Sequence, residues 1–187
     1  MIEAETALLE AVRDTLRTKL KLNESQCDVE LDDETVPAIS SAKHFSVSSA
    51  GLVAGKHHAR SGGAIDLLLS VRVVVYHRMG DVPRDRRRSV LLERTRGLNA
   101  DLTAVMDAID FRYEPMNLAT SNISTLGSRE GFLEPLKFDS ADTKPQPVFK
   151  DPYDAASSTA KGDPTLAIRR GVKFSGARFV MTRRQQA

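Results

Sequence analysis

The fold turns on Ala64–Arg78, AIDLLLSVRVVVYHR. Ile65, Leu67, Leu69, Val71, Val73 and Val75 fall on one face, opposed by Asp66, Leu68, Ser70, Arg72, Val74 and Tyr76. A side-chain period of two sustained over this length specifies a β-strand. At about 3.3 Å per residue it runs to roughly 45 Å, well beyond the usual strand of about five or six residues. Part of that length is expected to project beyond the protomer's own core.

Upstream, Leu9, Val12, Leu16 and Leu20 recur at steps of three and four, with Glu10, Arg13, Asp14 and Arg17 between them. This is the stripe of an amphipathic helix over Glu3 to Leu20, which buries one face. Asn23 and Ser25 end it, and Cys27 to Leu31 alternates as a short strand. Asp32, Asp33 and Glu34 read as a solvated turn. Phe45 and Val47 lie two apart within Lys43 to Ser49, a weak strand suited to a sheet edge. Gly51 to Gly63 has no hydrophobic period and reads as a loop or hairpin tip, with His57, His58 and Arg60 as candidate residues of a projecting loop.

Downstream, Met79 to Pro83 forms a turn into Arg84-Asp85-Arg86-Arg87-Arg88, where Asp85 is placed to cap a first helical turn. Val90, Leu91 and Leu92 follow. After Gly97, Leu98, Leu102, Val105, Met106 and Ile109 mark a second helix, or the second half of one kinked unit. The pattern fades from Glu114 to Glu130. Phe132, Leu133, Leu136 and Phe138 suggest another short strand, and Asp139 to Asp163, with Pro145, Pro147 and Pro152, an extended connector. Leu166, Ile168, Val172 and Phe174, then Phe179 and Met181, alternate around Gly176 as a terminal hairpin or pair of strands.

Composition bounds the function. The chain of 187 residues can carry one domain with an appendage, and its 41% apolar and 28% charged residues imply a modest core with much solvated or contact-forming surface. The single cysteine, Cys27, cannot form an internal disulfide, which fits a reducing compartment. The start, Met1 to Glu5, is acidic where a secretory signal needs basic residues, and no apolar run reaches the ~20 residues of a membrane span. No membrane partner is expected. The net charge of +2 is small but unevenly spread. From Thr165 onward there are six basic residues, Arg169, Arg170, Lys173, Arg178, Arg183 and Arg184, and no acidic one.

The chemical signatures of common enzymes are missing. There is no Gly-x-Ser-x-Gly elbow and no phosphate-binding loop, and His57-His58 lacks the His-Glu-x-x-His frame of a zinc site. Enzymatic use of the histidines would require His57, His58 and His77 to converge with a carboxylate. Asp32-Asp33-Glu34 has no apolar neighbours to raise a pKa, and Asn122-Ile123-Ser124, an acceptor pattern for glycosylation, lacks a secretory signal to accompany it. No catalytic residue, metal or cofactor is expected. Arg84 to Arg88 remains open to three readings: pairing with an acidic surface on another subunit, simple solvation, or contact with nucleic-acid phosphates. Neither a helix-turn-helix pattern nor zinc-finger spacing is present for sequence-specific DNA reading.

The order of elements resembles the tail terminator family of long-tailed bacteriophages and related head-tail completion proteins of the neck. The resemblance is carried by the helix at Leu9 to Leu20, the strand Ile65 to His77 running into Val82-Pro83-Arg84-Asp85-Arg86, and the helix through Ile109. It covers Met1 to Phe111, with further support from Gly131 to Leu136 and the closing strands. The long segment after Phe111 departs from the compact members. The resemblance implies an α+β protomer, with an antiparallel or mixed β-sheet around a long central strand, packed by the N-terminal helix and one or two helices after that strand. Residues 1–112 would form the core domain, and 113–187 an extended segment whose C-terminal strands pack on the core or on neighbouring subunits. It further implies a virion subunit assembled in the host cytoplasm: a homo-oligomeric ring, often hexameric, that ends tail-tube polymerisation at the tail-neck junction. The tail-tube protein and neck or head-completion proteins would be its partners, with non-specific contact to DNA in the lumen. Arg84, Asp85, Arg86, Arg87, Arg88, Arg169, Arg170, Arg178, Arg183 and Arg184 are the candidate intersubunit or phosphate contacts. The alternative function is a nucleic-acid-binding accessory protein that uses the same basic clusters.

Overall fold

A computed structural model of the chain describes residues 2–30, 39, 41–54, 64–79, 84–124, 126–127, 129–148 and 167–182. The elements are helix α1 (Ile2–Leu20), strands β1 (Cys27–Val29), β2 (Lys43–Ala54) and β3 (Ala64–Arg78), helices α2 (Arg87–Ile109) and α3 (Glu114–Ser121), and strands β4 (Gly131–Glu134), β5 (Lys137–Ala141), β6 (Gln146–Val148) and β7 (Ala167–Thr182). Short 3₁₀ turns, Glu24–Gln26 and Arg84–Arg86, precede β1 and α2. The molecule is α+β. Among the described residues three helices accompany one mixed seven-stranded sheet of order β1-β2-β3-β7-β4, with β5 and β6 pairing along β7 after β4.

β3 is as long as its alternation demands, and it is paired within its own chain. β7 runs antiparallel to it from Ala64↔Thr182 to Arg78↔Ala167, and β2 pairs antiparallel from Ala54↔Leu67 to Lys43↔His77. β7 pairs the whole of it, and from Leu67 to His77 both of its edges are bonded within the chain. β2, expected at the edge, is second from it: β1 pairs parallel to it over Cys27↔Phe45 to Val29↔Val47. The closing segment is one continuous strand rather than a hairpin, flanked in turn by β4, β5 and β6.

Opposite Ser70 both neighbours of β3 carry an extra residue. Ser49 pairs with Val71 and Gly51 with Ser70, while on the other side Phe174 pairs with Val71 and Ala177 with Leu69. Gly51 and Gly176 take φ of +132° and +86°, backbone that side chains rarely adopt. Each bulge flips the parity of the strand after it. Val172 and Phe174 therefore share the core with Ala177 and Phe179.

The helices cover one face of the sheet. Ala4, Leu8, Val12 and Leu16 of α1, Leu98, Leu102, Val105 and Ile109 of α2, and Met116 and Ala119 of α3 join Phe45, Val47, Leu69, Val71, Val73 and Val75 in the main core. α3 occupies part of the stretch where the sequence signal faded, with Pro115 in its first turn, where a missing N–H costs little. The other face is mixed. Ile39, Val74, Tyr76, Val148 and Ala167 form a small second cluster, and His44, Ser46, Ser48 and Asp66 are buried polar residues.

Candidate interaction surfaces

α2 is built in two unlike halves. Its buried residues are Leu98, Leu102, Val105, Ala108 and Ile109, all beyond Gly97. Gly97 stands against His77, the penultimate residue of β3, where an added Cβ would lie 2.9 Å from the ring. The turns before Gly97 therefore pass the end of the strand. At about 1.5 Å per residue, Arg87 to Arg96 make an arm roughly 15 Å long. On it Leu91 and Leu92 are 45% and 54% exposed. Arg88, Glu93 and Arg96 are exposed beside them, and Arg94 is half-buried. Arg86, Arg88, Arg94 and Arg96 form no ion pair among the described residues, whereas Arg87 has a partner within the chain. Asp85 does not cap the helix: it lies in the 3₁₀ turn, and Arg86 holds the N-cap position without a side-chain cap.

At the root of the arm a carboxylate ties helix to sheet. Asp101 Oδ2 lies 2.7 Å from His77 Nε2, and Lys43 Nζ donates to Asp101 Oδ1 at 3.1 Å. Burial works to raise the Asp101 pKa, but the hydrogen bonds from His77 and Lys43 outweigh it and hold the group below its ordinary range. No hydroxyl or thiol is hydrogen-bonded to His77 among the described residues. This arrangement anchors α2. The other buried titratable groups are also enclosed: burial lowers the His44 pKa and pushes the Cys27 thiol up to about 12. Among the described residues no group of three or more His, Cys, Asp or Glu is placed to hold a metal, and no helix is long and apolar enough to cross a membrane.

The candidate arginines of β7 are engaged inside the chain. Arg178 meets the buried Asp66 with two hydrogen bonds, Nε to Oδ1 at 3.2 Å and Nη2 to Oδ2 at 3.0 Å, and reaches Glu134 at 3.4 Å. Arg170 donates to the Asp142 carbonyl at 2.7 Å and to Asn99 Oδ1 on α2 at 2.6 Å. Arg169 is hydrogen-bonded to Tyr76. His57, His58, Arg60, Arg183 and Arg184 lie outside the described residues, as do the Asp32 to Glu34 turn and the Arg84 side chain.

The far end of α2 carries a surface that the sequence pattern did not reveal. Phe111, Tyr113 and Phe138 are 62%, 54% and 41% exposed. Two hydrogen bonds join their segments: Phe111 N–H donates to Leu136 O at 2.9 Å, and Phe138 N–H to the Asp110 carboxylate Oδ1 at 2.7 Å. Phe111 follows the C-cap residue Asp110 and has φ +54°. Glycine usually fills this left-handed position, and a bulky residue there is strained. Asp107, Asp110 and Glu114 neighbour the aromatic residues in sequence; Arg112 lies in the same stretch, and Lys19 pairs with Glu114 at 3.1 Å. The sequence places Leu136 and Phe138 two apart in a short strand, which does not tell which of them meets water. Leu136 is buried, whereas β5 lies exposed along β7.

No protein-family model matches the chain, and no curated protein matches it. Among solved structures it is similar to the sheath/tube terminator, in the extended state, of PVC, an extracellular contractile injection system. The identity is 11% and the TM-score 0.33, over 92% of this chain and 56% of that one. The chain thus spans a little over half the length of that terminator.

Proposed function

We propose that this chain is a non-enzymatic structural subunit of a tail-like particle, forming a ring at the tail-neck junction of a long-tailed phage and ending growth of the tail tube there. The observation that carries this reading is the arm of α2. A helix half with two exposed leucines and a set of arginines that form no ion pair among the described residues gains little for the monomer. It gains burial and charge pairing once a second protein covers it. Six copies and neck proteins as partners, which the resemblance also implies, belong to the same proposal.

The test is native mass measurement of the purified chain, followed by its addition to growing tail tubes. A discrete oligomer that stops elongation is expected. A chain that stays monomeric and neither binds nor caps tubes overturns the reading.

Arg86, Arg88, Arg94 and Arg96 also favour a second reading, contact with nucleic-acid phosphates. It predicts retention on DNA that falls steeply with salt. Absence of retention at low salt removes it.

A further inference from the structure

We propose that the arm of one copy seats on the aromatic patch of the next copy, so that α2 carries both halves of a head-to-tail contact. This deepens the assembly reading and rests on it.

The two surfaces cannot meet within one chain. Leu91 and Ile109 are separated by about 27 Å along one straight helical axis, and Phe111 lies beyond Ile109. Each surface has an apolar centre: Leu91 and Leu92 on the arm, Phe111, Tyr113 and Phe138 on the patch. Their charges are opposite in balance. Arg86, Arg88, Arg94 and Arg96 outweigh Asp85 and Glu93 on the arm, where Arg87 has a partner of its own, whereas Asp107, Asp110 and Glu114 outweigh Arg112 and Lys19 at the patch. Lys137 and Asp139, which flank Phe138, are drawn to Glu134 and Lys173, at 3.8 and 3.4 Å, and Glu114 also meets Lys19 at 3.1 Å.

The charge order along α2 supports the same mate. α1 carries Glu3 and Glu5 in its first turn and Arg17 and Lys19 in its last, which complements the helix dipole. α2 reverses this, with no acid in its first turn and no base in its last. Arginines at its positive end and Asp107 near its negative end oppose its own dipole. Seated head to tail, the arm's basic N-terminal end faces the acidic C-terminal end of the neighbour's α2, and both dipole and side-chain charges then attract. A second copy is therefore the favoured occupant, since this chain bears both complementary surfaces. Because the surfaces differ, the contact is heterologous: it generates a ring if the rotation closes and a filament if it does not.

The experiment mixes two disabled chains. One is the arm variant Leu91→Glu with Leu92→Glu; the other is the patch variant Phe111→Gly with Phe138→Ser. Wild type is expected as a discrete oligomer and each variant alone as a folded monomer. A 1:1 mixture is expected to form dimers and stop, since one good arm and one good patch remain. Phe111→Gly alone controls for folding: it relieves the left-handed strain, so it should melt no lower than wild type and still fail to assemble. The proposal is overturned if wild type assembles while the mixture of folded variants stays monomeric, or if Phe111→Gly assembles like wild type. In those cases the assembly reading stands with another interface. A wild type that is monomeric alone but caps tubes through its arm identifies the tube protein as occupant, and one that only binds DNA through its arm identifies nucleic acid. Either result also overturns the copy-to-copy contact.

Discussion

Asp66 is 3% exposed on a middle strand and is tolerable there because Arg178, on the neighbouring strand, grips both of its oxygens. Removing one partner of a buried pair leaves the other charge desolvated without compensation. Arg178→Met is therefore expected to destabilise the fold by roughly 3 kcal/mol, read from chemical denaturation. Adding Asp66→Asn should restore part of the loss, because the stranded charge is then gone. A single-variant cost under about 1 kcal/mol, within the range of solvated pairs, would mean that water reaches Asp66. Phe111 presents the opposite case: its backbone is strained and its ring mostly in water, a combination that makes sense when a partner covers the ring.

Between elements, the critical contact is that of α2 with the end of β3. Gly97 sits within a helix, where glycine costs about 1 kcal/mol relative to alanine. Space explains its presence, since a Cβ would meet His77 Cε1 at 2.9 Å while that ring is held by Asp101 at 2.7 Å. Gly97→Ala is expected to lower stability by about 1 kcal/mol, because overpacking against a fixed ring outweighs the propensity gain. In a His77→Ala background the sign should reverse, with Gly97→Ala raising the melting temperature. If Gly97→Ala stabilises the wild-type background as well, the ring is free to move and the anchor is weaker than its geometry indicates.

For the whole molecule, acid stability depends on groups that the fold desolvates or pairs. Burial lowers the His44 pKa from its ordinary 6.5, against the opposing Ser25 carbonyl and Asp28. Asp101 is lowered from 3.8 by its His77 and Lys43 bonds despite burial. In both cases the unfolded chain binds protons more readily, so the stabilisation is complete above the ordinary pKa and is lost as pH falls through the folded one. Melting temperatures should first decline below about pH 6.5 through His44, then again below about pH 4 through Asp101. His44→Gln should flatten the first decline and leave the second. An unchanged decline between pH 7 and 5 in that variant would show that His44 is not its source.

Where the signal is local, the sequence alone determined the outcome. The steps of Leu9, Val12, Leu16 and Leu20 yielded α1, and the strict alternation of Ala64 to Arg78 yielded β3, because both patterns record which side of an element meets water. The parity break around Gly176 was visible too, although it marks a bulge and not a hairpin turn. What local pattern could not contain was decided by tertiary structure. The partners of the β7 arginines are distant in sequence: Asp66 lies 112 residues from Arg178, and Asn99 lies 71 from Arg170. Ser46 and Ser48 of β2 are buried on the face away from the helices without any apolar signature of their own. Above all, Leu91, Leu92 and Leu98 look alike as helical apolar residues, yet only Leu98 is buried. β3 ends one residue past His77, and what a helix buries depends on where its support stops.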